Sequence, residues 1–341
     1  MTVKISDFKV LDVRPTQRRE VIDYGVEMVG APLEWSETKG KGIKVGVIDT
    51  GIDLNHDDLK GRIKDYVNFT TSDRKDVNDE NGHGTHVAGI IAAEQNGKGI
   101  IGVAPEADLY IAKAFDKNGT ANFESIRKSI EWMIEKDVDV INMSFSSDTA
   151  TREYQQIISQ AYANNITMIC AAGNEGLSKG GKGDTIGYPA KFAETIAVTA
   201  VDLNKRRADF SSVGPAAEIA AAGKEIYSCY KNNSYATLSG TSMATPIITG
   251  AVAILQAKGR IRYKRRLTPE EIRLLLHIYS EDLGPVGRDE EYGYGLFSFG
   301  RLTRTEQIYN GAAIRTSPYR GLSRINNDFL MDLVIAALLL L

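Results

Sequence analysis

Continuous apolar runs alternate with helical patterns along most of this chain, and this alternation is the strongest constraint on its fold. Each run is rich in Val, Ile or Ala without a polar residue at every second position, which is typical of a strand buried on both faces. The predicted strands span 43–48, 109–115, 138–144, 166–172 and 195–201. The predicted helices span 83–95, 123–135, 151–164, 242–258 and 268–277. This order predicts an α/β fold with a parallel sheet covered by helices on both faces.

The size and charge of the chain favour one large domain. Its 341 residues suffice for an α/β domain with a sizeable core and terminal extensions. The net charge is only −3, so neither nucleic acid nor a charged membrane surface is expected as a partner. The basic run at 259–266 is interpreted as a solvated helix end and loop. The two cysteines, Cys170 and Cys229, cannot form a disulfide framework and are not expected to pair.

Both ends of the chain are predicted to be extensions, 1–19 and 303–341, of a central domain over 20–302. The first ten residues have neither a continuous apolar stretch nor a small-residue cleavage site, so a cytoplasmic protein without a secretory signal is expected. Residues 333–341 are apolar but too short to span a bilayer as a helix. Docking on the protein, disorder and membrane-surface contact are alternative interpretations of the C-terminal extension.

Three short motifs supply an acid, a base and a nucleophile. Asp49 follows a predicted strand, and functional groups collect at the carboxyl ends of parallel strands. His83 opens a predicted helix, and Ser242 precedes the apolar helix that has Pro246 in its first turn. A hydroxyl, an imidazole and a carboxylate are what nucleophilic acyl transfer requires. A fourth motif, around Asn174, offers an amide donor to a developing oxyanion.

Each motif alone also has an ordinary structural interpretation. Asp49 and Ser242 are typical of helix caps or turns, and Asn174 of a turn after a strand. His83 and His86 are three residues apart and could share a metal ion, but no third ligand stands at a suitable spacing nearby. His86 is therefore expected to be a packed structural histidine.

Taken together, the four motifs resemble those of the subtilisin family of serine endopeptidases over roughly residues 20–302. The resemblance implies a three-layer α/β/α sandwich with a mainly parallel sheet. It also implies Asp49, His83 and Ser242 as the catalytic triad, Asn174 as the oxyanion donor, an acyl-enzyme intermediate, and protein or peptide substrates. The alternatives are a catalytically silent relative that binds or regulates, and a metallohydrolase that uses the two histidines.

The same resemblance implies a set of substrate-binding residues. Two segments, Gly119-Thr120-Ala121 and Ser144-Phe145-Ser146, are expected to flank an extended peptide, with Phe123 lining an apolar subsite. Ala171, Gly173 and Gly187 are expected to leave an open primary pocket. The chain departs from the family at Ser146 and Ser147, where two glycines are usual, so the pocket edge is expected to be narrower or stiffer. It departs again at Ile247, where a histidine is common.

Intracellular members of the family carry a short inhibitory N-terminal extension that is cleaved on activation, and they are often homodimers. By resemblance, Phe8–Pro15 is expected to lie across the cleft as an extended strand. The alternative is a disordered or merely docked terminus. By the same resemblance, a homodimer is a further expectation.

A structural calcium site is also implied by the resemblance. The matching side chains are Glu20, Asp58 and Asn96, with backbone carbonyls near Glu94, Lys98 and Ile100. Hard oxygen ligands are what Ca²⁺ requires. The alternative interpretation of this loop is a plain polar turn.

Overall fold

The structure is a computed structural model and describes residues 2–5, 8–15, 19–177 and 183–301. Its strands are β1 (Thr2–Lys4), β2 (Lys9–Pro15), β3 (Val21–Ile22), β4 (Lys44–Asp49), β5 (Ile63–Asn68), β6 (Ile100–Ile101), β7 (Asp108–Lys113), β8 (Thr120–Asn122), β9 (Val140–Met143), β10 (Thr167–Ala171), β11 (Ile196–Val201), β12 (Ala217–Ala222), β13 (Ile226–Tyr230), β14 (Ser234–Ser239), β15 (Ser280–Glu281) and β16 (Leu296–Phe297). Its helices are α1 (Tyr24–Met28), α2 (Ala31–Glu34), α3 (His83–Ala92), α4 (Phe123–Glu135), α5 (Arg152–Ala163), α6 (Thr241–Tyr263) and α7 (Pro269–Ile278). The predicted C-terminal extension, 303–341, lies outside the described residues.

The central sheet has nine strands among the described residues, in the order β15-β16-β12-β11-β10-β9-β4-β7-β5. All neighbouring pairs from β16 to β5 are parallel, and only the short β15 is antiparallel to its neighbour. The carboxyl ends of β4, β9 and β10 therefore meet at one edge of the sheet. The predicted α/β fold with a mainly parallel sheet is confirmed.

Both faces of this sheet are buried, because successive side chains of each strand enter opposite cores. Val45 and Val47 of β4 belong to a core with α3, α6 and α7, whereas Ile48 joins a second core with α4 and α5. This alternation produces the three layers expected. It also explains why the strands are continuously apolar in sequence.

The predicted helix over 123–135 has the predicted bounds. Helices α5 and α7 differ from their predictions by one residue at each end, whereas α3 and α6 end several residues elsewhere. Helix α3 ends at Ala92 rather than at 95, because Ala93 leaves the helical region (ψ 129°) and the amide of Glu94 donates to the Asp58 carbonyl. Helix α6 continues to Tyr263 rather than ending at 258, so the basic run begins inside its last turn. Arginines there are favourable beside the negative end of the helix dipole.

A small antiparallel sheet, β13-β14-β2, lies against α3 and holds the N-terminal strand β2 on its outer edge.

Cys170 and Cys229 are both unpaired and buried, and burial raises the pKa of both thiols. Within the described part of the chain, no helix is both long and apolar enough to cross a membrane.

Candidate active site

Asp49 and His83 form a buried hydrogen-bonded pair at the carboxyl edge of the sheet. Asp49 ends β4, His83 begins α3, and both side chains are fully buried. The Nδ1 of His83 lies 2.8 Å from Oδ1 of Asp49. A carboxylate can only accept, so Nδ1 donates and Nε2 is the ring atom that can accept a proton. Gly84 permits this approach, since a Cβ there would lie 3.2 Å from Asp49 Oδ1 and only 2.2 Å from the Gly51 carbonyl oxygen.

Asp79 holds this pair in place, and sequence reasoning missed it. Its Oδ1 accepts from Thr50 Oγ1 and Gly82 N, both at 2.8 Å. Its Oδ2 accepts from the amide (2.8 Å) and the hydroxyl (2.7 Å) of Thr85. Gly82 is the N-cap of α3 and has no side chain to cap the helix, so Asp79 supplies that oxygen. The available signal was an acidic residue three positions before the capping glycine.

Ser242 is the second residue of α6, and its side chain is fully buried. Its hydroxyl donates to the Ser144 carbonyl at 3.1 Å, and its carbonyl accepts from Ser144 Oγ at 3.0 Å. Among the described residues, Nε2 of His83 has no hydrogen-bond partner. The hydroxyl and the imidazole are therefore not yet hydrogen-bonded in this conformation.

Asn174 is oriented by the residue before the serine. Its Oδ1 accepts from the amide and the hydroxyl of Thr241, both at 2.9 Å. These bonds turn the amide nitrogen toward Gly240, where a Cβ would lie 3.0 Å from Nδ2. Consequently an N–H group faces the turn that precedes Ser242, beside the positive end of the α6 dipole.

Residues 2–5 of the chain lie between the two segments predicted to bind substrate. Strand β1 pairs antiparallel with β8, with Val3 opposite Ala121 and Lys4 opposite Thr120. On the other side, Lys4 exchanges backbone hydrogen bonds with Ser146, at 3.3 and 3.1 Å. The amide of Ile5 donates to the Gly119 carbonyl at 2.9 Å. Gly119, Thr120, Ala121 and Ser146 thus surround an extended strand of the chain itself.

The segment in this cleft is not the one that was predicted. Phe8–Pro15 was expected to cross it, but most of that stretch is β2, which pairs with β14. Only Phe8 reaches the site, with its ring centroid 5.1 Å from that of His83. Residues 2–5 suit the cleft because their side chains alternate: Val3 and Ile5 are buried in it, whereas their neighbours Thr2 and Lys4 are exposed.

The remaining predicted substrate-binding residues lie around the same cleft or beneath it. Gly187 packs against Ser146: a Cβ on the glycine would be 2.9 Å from Ser146 Cβ. The backbone of Ser147 pairs with that of Tyr188, which fixes this edge. Phe145 is fully buried against Phe115, so only its backbone can meet a peptide. Ser144 contacts Ser242, Ala171 ends β10, Gly173 bonds to Thr241, and Phe123 begins α4 beside Tyr154.

The three side chains predicted to bind calcium meet at one loop. Glu20 Oε1 accepts from the amides of Asn96 and Gly97, at 2.7 and 2.9 Å. Asn96 Nδ2 donates to Asp58 Oδ1 at 2.9 Å, and Asp58 Oδ2 accepts from Ile100 N and Tyr235 Oη. Glu20 and Asp58 contribute carboxylates and Asn96 an amide oxygen, and oxygen ligands of this kind are the ones that Ca²⁺ prefers.

Two other histidines, His86 and His56, are held by structural hydrogen bonds. His86 Nε2 donates to the carbonyls of Ile226 and Ala236, at 3.2 and 3.1 Å, and burial lowers the pKa of His86 to about 3. Among the described residues, the group of metal-binding type is His56, Asp58 and Cys229. Both ring nitrogens of His56 are used: Nδ1 by the amide of Asp58, Nε2 by the carbonyl of Ser234.

Comparison with known proteins shows which family this chain belongs to. The model of the Subtilase family matches residues 40–295. An intracellular serine protease of Paenibacillus polymyxa is 41% identical over 301 residues, covering 87% of this chain and 91% of that protein. Subtilisin DY of Bacillus licheniformis is 43% identical over 240 residues, covering 70% and 86%. The major intracellular serine protease of Bacillus subtilis (strain 168) is 39% identical over 253 residues, covering 73% and 79%. The chain therefore belongs to the subtilase family.

Proposed function

We propose that Asp49, His83 and Ser242 are the catalytic triad of this protein and that Asn174 is its oxyanion donor. As a subtilase, the protein is a serine endopeptidase. The observation that carries the residue assignment is the buried 2.8 Å bond between Asp49 and His83, which fixes the tautomer whose Nε2 can accept a proton.

The reaction begins when the Ser242 hydroxyl turns from the Ser144 carbonyl to Nε2 of His83. His83 takes the proton as Oγ attacks the substrate carbonyl, and Asn174 and the Ser242 amide stabilise the oxyanion. His83 then gives that proton to the leaving amine. Water, deprotonated by the same imidazole, hydrolyses the acyl-enzyme.

Covalent labelling tests this assignment directly. A fluorophosphonate should modify Ser242 in the native chain, and Ser242→Ala should abolish both labelling and peptide hydrolysis while keeping the circular dichroism spectrum. An unlabelled native chain with no hydrolysis would favour the silent binding or regulatory relative. Hydrolysis that survives Ser242→Ala would assign the chemistry to other residues.

We further propose that residues 1–19 are an inhibitory extension, 20–302 the catalytic domain, and 303–341 an extension without an assigned role. The extension occupies the cleft in substrate-like pairing, and Phe8 covers His83. A substrate must displace residues 2–5 before it can reach Ser242.

A charge in the buried part of this segment tests the inhibition. In the full chain, Val3→Asp should raise the initial rate on a small peptide and shorten any lag, because an unpaired carboxylate is costly between β8 and Ser146. Leu203→Asp, at an exposed position of the body, is the matched control and should leave the rate unchanged. Identical progress curves for Val3→Asp and the native chain would contradict an inhibitory role.

We propose that Glu20, Asp58 and Asn96, with nearby carbonyls of the 94–100 loop, hold a structural Ca²⁺. Bound there, the ion would link the stretch before α1 to the loop after α3.

A cytoplasmic location is also proposed, supported by the names of the two intracellular relatives. A homodimer stays a prediction, which sedimentation of the purified chain would test.

A further inference from the structure

The turn between β13 and β14 is tied to the chain that follows Asp49. At the tip of this turn, the amide of Asn233 donates to Asp53 Oδ2 at 2.8 Å. The side-chain oxygen of Asn233 accepts from the amide of Asp57 at 3.0 Å. One side of the β13-β14 hairpin is thereby fixed to the segment after β4, which carries the carboxylate of the proposed triad.

Tyr230, the last residue of β13, connects the same hairpin to the loop before α3. Its hydroxyl donates to the carbonyl of Asn81 at 3.0 Å, and its side chain is only 8% exposed. The ring packs directly on Gly82, where a Cβ would lie 2.3 Å from the ring atom Cε2. The next residue, Lys231, donates to the carbonyl of Glu80. Two consecutive side chains of the hairpin therefore hold two consecutive carbonyls of this loop.

Asn81 transmits this contact to the catalytic histidine. Its Oδ1 accepts from the amide of His83 at 3.2 Å, and its Nδ2 donates to the carbonyl of Lys117 at 3.0 Å. The residue whose carbonyl Tyr230 holds is thus also the residue that receives the first amide of α3. A displacement of Asn81 would move the start of α3 relative to Asp49 at the end of β4.

The Tyr230 hydroxyl is suited to a permanent structural bond of this kind. Burial, and to a smaller degree the nearby Asp79 carboxylate, raise the pKa of Tyr230. The phenol therefore keeps its proton at neutral pH and remains a hydrogen-bond donor. Because it donates to a backbone carbonyl, it is not a group that exchanges protons during the reaction.

We propose that Tyr230 is a positioning residue for the hydrolytic reaction: through Asn81, it holds His83 where the 2.8 Å hydrogen bond to Asp49 can form. The role rests on the proposed function, since it concerns the proposed triad. Removal of the hydroxyl should loosen the contact between the imidazole and the carboxylate while the substrate-binding segments stay as they are. The effect is therefore expected in kcat and not in KM.

Tyr230→Phe in the full chain tests this role, because it removes the hydroxyl and keeps the ring on Gly82. We expect kcat, expressed per fluorophosphonate-reactive Ser242, to fall about tenfold, the order of one lost hydrogen bond. KM should change by less than about twofold. Tyr24→Phe is the matched control, because the Tyr24 phenol also donates to a backbone carbonyl, that of Lys224. This variant should keep the native kcat.

Thermal unfolding of both variants separates positioning from general loss of stability. Equal falls of kcat in Tyr230→Phe and Tyr24→Phe at equal melting temperatures would overturn the specific role of Tyr230. A native kcat in Tyr230→Phe would overturn it as well, and so would a rise in KM at native kcat.

The pKa of His83 is the second readout, and a merely structural role would not move it. The chain has four histidines, so ¹³C labelling of Cε1 gives few signals, and His83→Gln assigns the relevant one. Among the described residues, the ionisable groups around this ring are the bonded Asp49, the capping Asp79 and the neutral His86. Tyr230→Phe changes none of their charges. A weaker bond to Asp49 should therefore lower the pKa of His83, and an unchanged pKa would contradict the proposal.

The same titration in a Ser242→Ala background requires no hydrolysis, so the two proposals can fail separately. If the native chain neither reacts with fluorophosphonate nor hydrolyses peptides, the protease assignment fails. The His83 titration still decides positioning, since a lower pKa with Tyr230→Phe supports it and an equal pKa overturns it. If the native chain hydrolyses peptides and Tyr230→Phe keeps both the native kcat and the native His83 pKa, positioning fails and the protease assignment stands.

Discussion

Asn174 illustrates how single side chains of this site are aimed by their neighbours. Its oxygen is held by the amide and hydroxyl of Thr241, so its amide nitrogen is directed at the turn before Ser242. Asp79 similarly positions the Asp49–His83 pair, since it caps α3 and accepts a hydrogen bond from Thr50 beside Asp49. Neither geometry can be predicted from the spacing of residues in the sequence, because each depends on contacts between separate segments.

Asn174→Ala should lower kcat by about a hundred- to a thousandfold with little change in KM, a magnitude already known for subtilisin itself. The amide stabilises charge that exists only in the transition state, so substrate binding is spared. Steady-state kinetics on one peptide measure the split. Asn204→Ala, in an exposed turn, is the matched control and should keep native values. An increase in KM with native kcat would mean that Asn174 binds substrate instead.

Ser146→Gly should widen the primary pocket. Its Cβ occupies the space beside Gly187, so its removal should increase kcat/KM for peptides with Phe before the cleaved bond relative to those with Ala. We expect a change of roughly tenfold in that ratio, the value of about two buried methylene groups. Gly187→Ala should shift the ratio the opposite way. An unchanged ratio in both variants would place the pocket elsewhere.

At the scale of elements, His86 ties the helix of His83 to the small sheet. From α3 its ring donates to carbonyls of β13 and β14, and Ser228 of β13 donates back to the His86 carbonyl. The ring is fully buried, and burial lowers its pKa to about 3. The folded protein therefore requires His86 to be neutral.

His86→Gln should flatten the pH dependence of stability below pH 7. A depressed pKa in the folded state means that stability is complete above the unfolded value, 6.5, and is lost as the pH falls toward about 3. Between pH 7 and pH 5 the native chain should lose roughly 2 kcal/mol from this group. Urea unfolding at several pH values gives the comparison. Parallel curves for variant and native chain would exclude His86 as the source.

The sequence predicted these elements well where burial alone determines them. All five predicted strands exist because a strand with two buried faces must be continuously apolar, as in β4 and β11. Strand β14 was missed, and the extended strand predicted over Phe8–Pro15 was placed across the cleft instead of beside β14, because this pairing joins segments more than 200 residues apart and leaves exposed side chains. Helix α3 was predicted to be too long, because its end is set by the hydrogen bond from the Glu94 amide to the Asp58 carbonyl, which the sequence does not reveal.

At the scale of the whole molecule, the 94–100 loop connects distant parts of the chain. Glu20 reaches it from the stretch before α1, and Asp58 reaches it from the segment between β4 and β5. Strand β3 pairs with β6 at the end of the same loop. An ion held by these groups would act on the stability of the full domain, because it binds only when all of them are in place.

Chelation should therefore lower the melting temperature. At a free Ca²⁺ concentration of 100 times Kd, the ion would stabilise the fold by about 2.7 kcal/mol, so EDTA should lower Tm by several degrees. Asp58→Asn should lower Tm in calcium and abolish the EDTA effect. Asp73→Asn, an exposed matched control, should keep it. If calorimetry shows the same Tm with calcium and with EDTA, the calcium site is contradicted and the interpretation of the loop as a plain polar turn is supported.

The short ladder between β1 and β8 has a consequence for the timing of activation. Residues 2–5 occupy the cleft while they belong to the same chain, so their local concentration is that of a tethered ligand, on the order of millimolar. One hydrolysed bond after this segment turns it into a free peptide that must compete at its bulk concentration. Dilution alone then empties the cleft, and the peptide cannot be religated in water. Activation would therefore be irreversible for each molecule. The amount of active enzyme in a culture would reflect all the cleavage that had occurred up to that time.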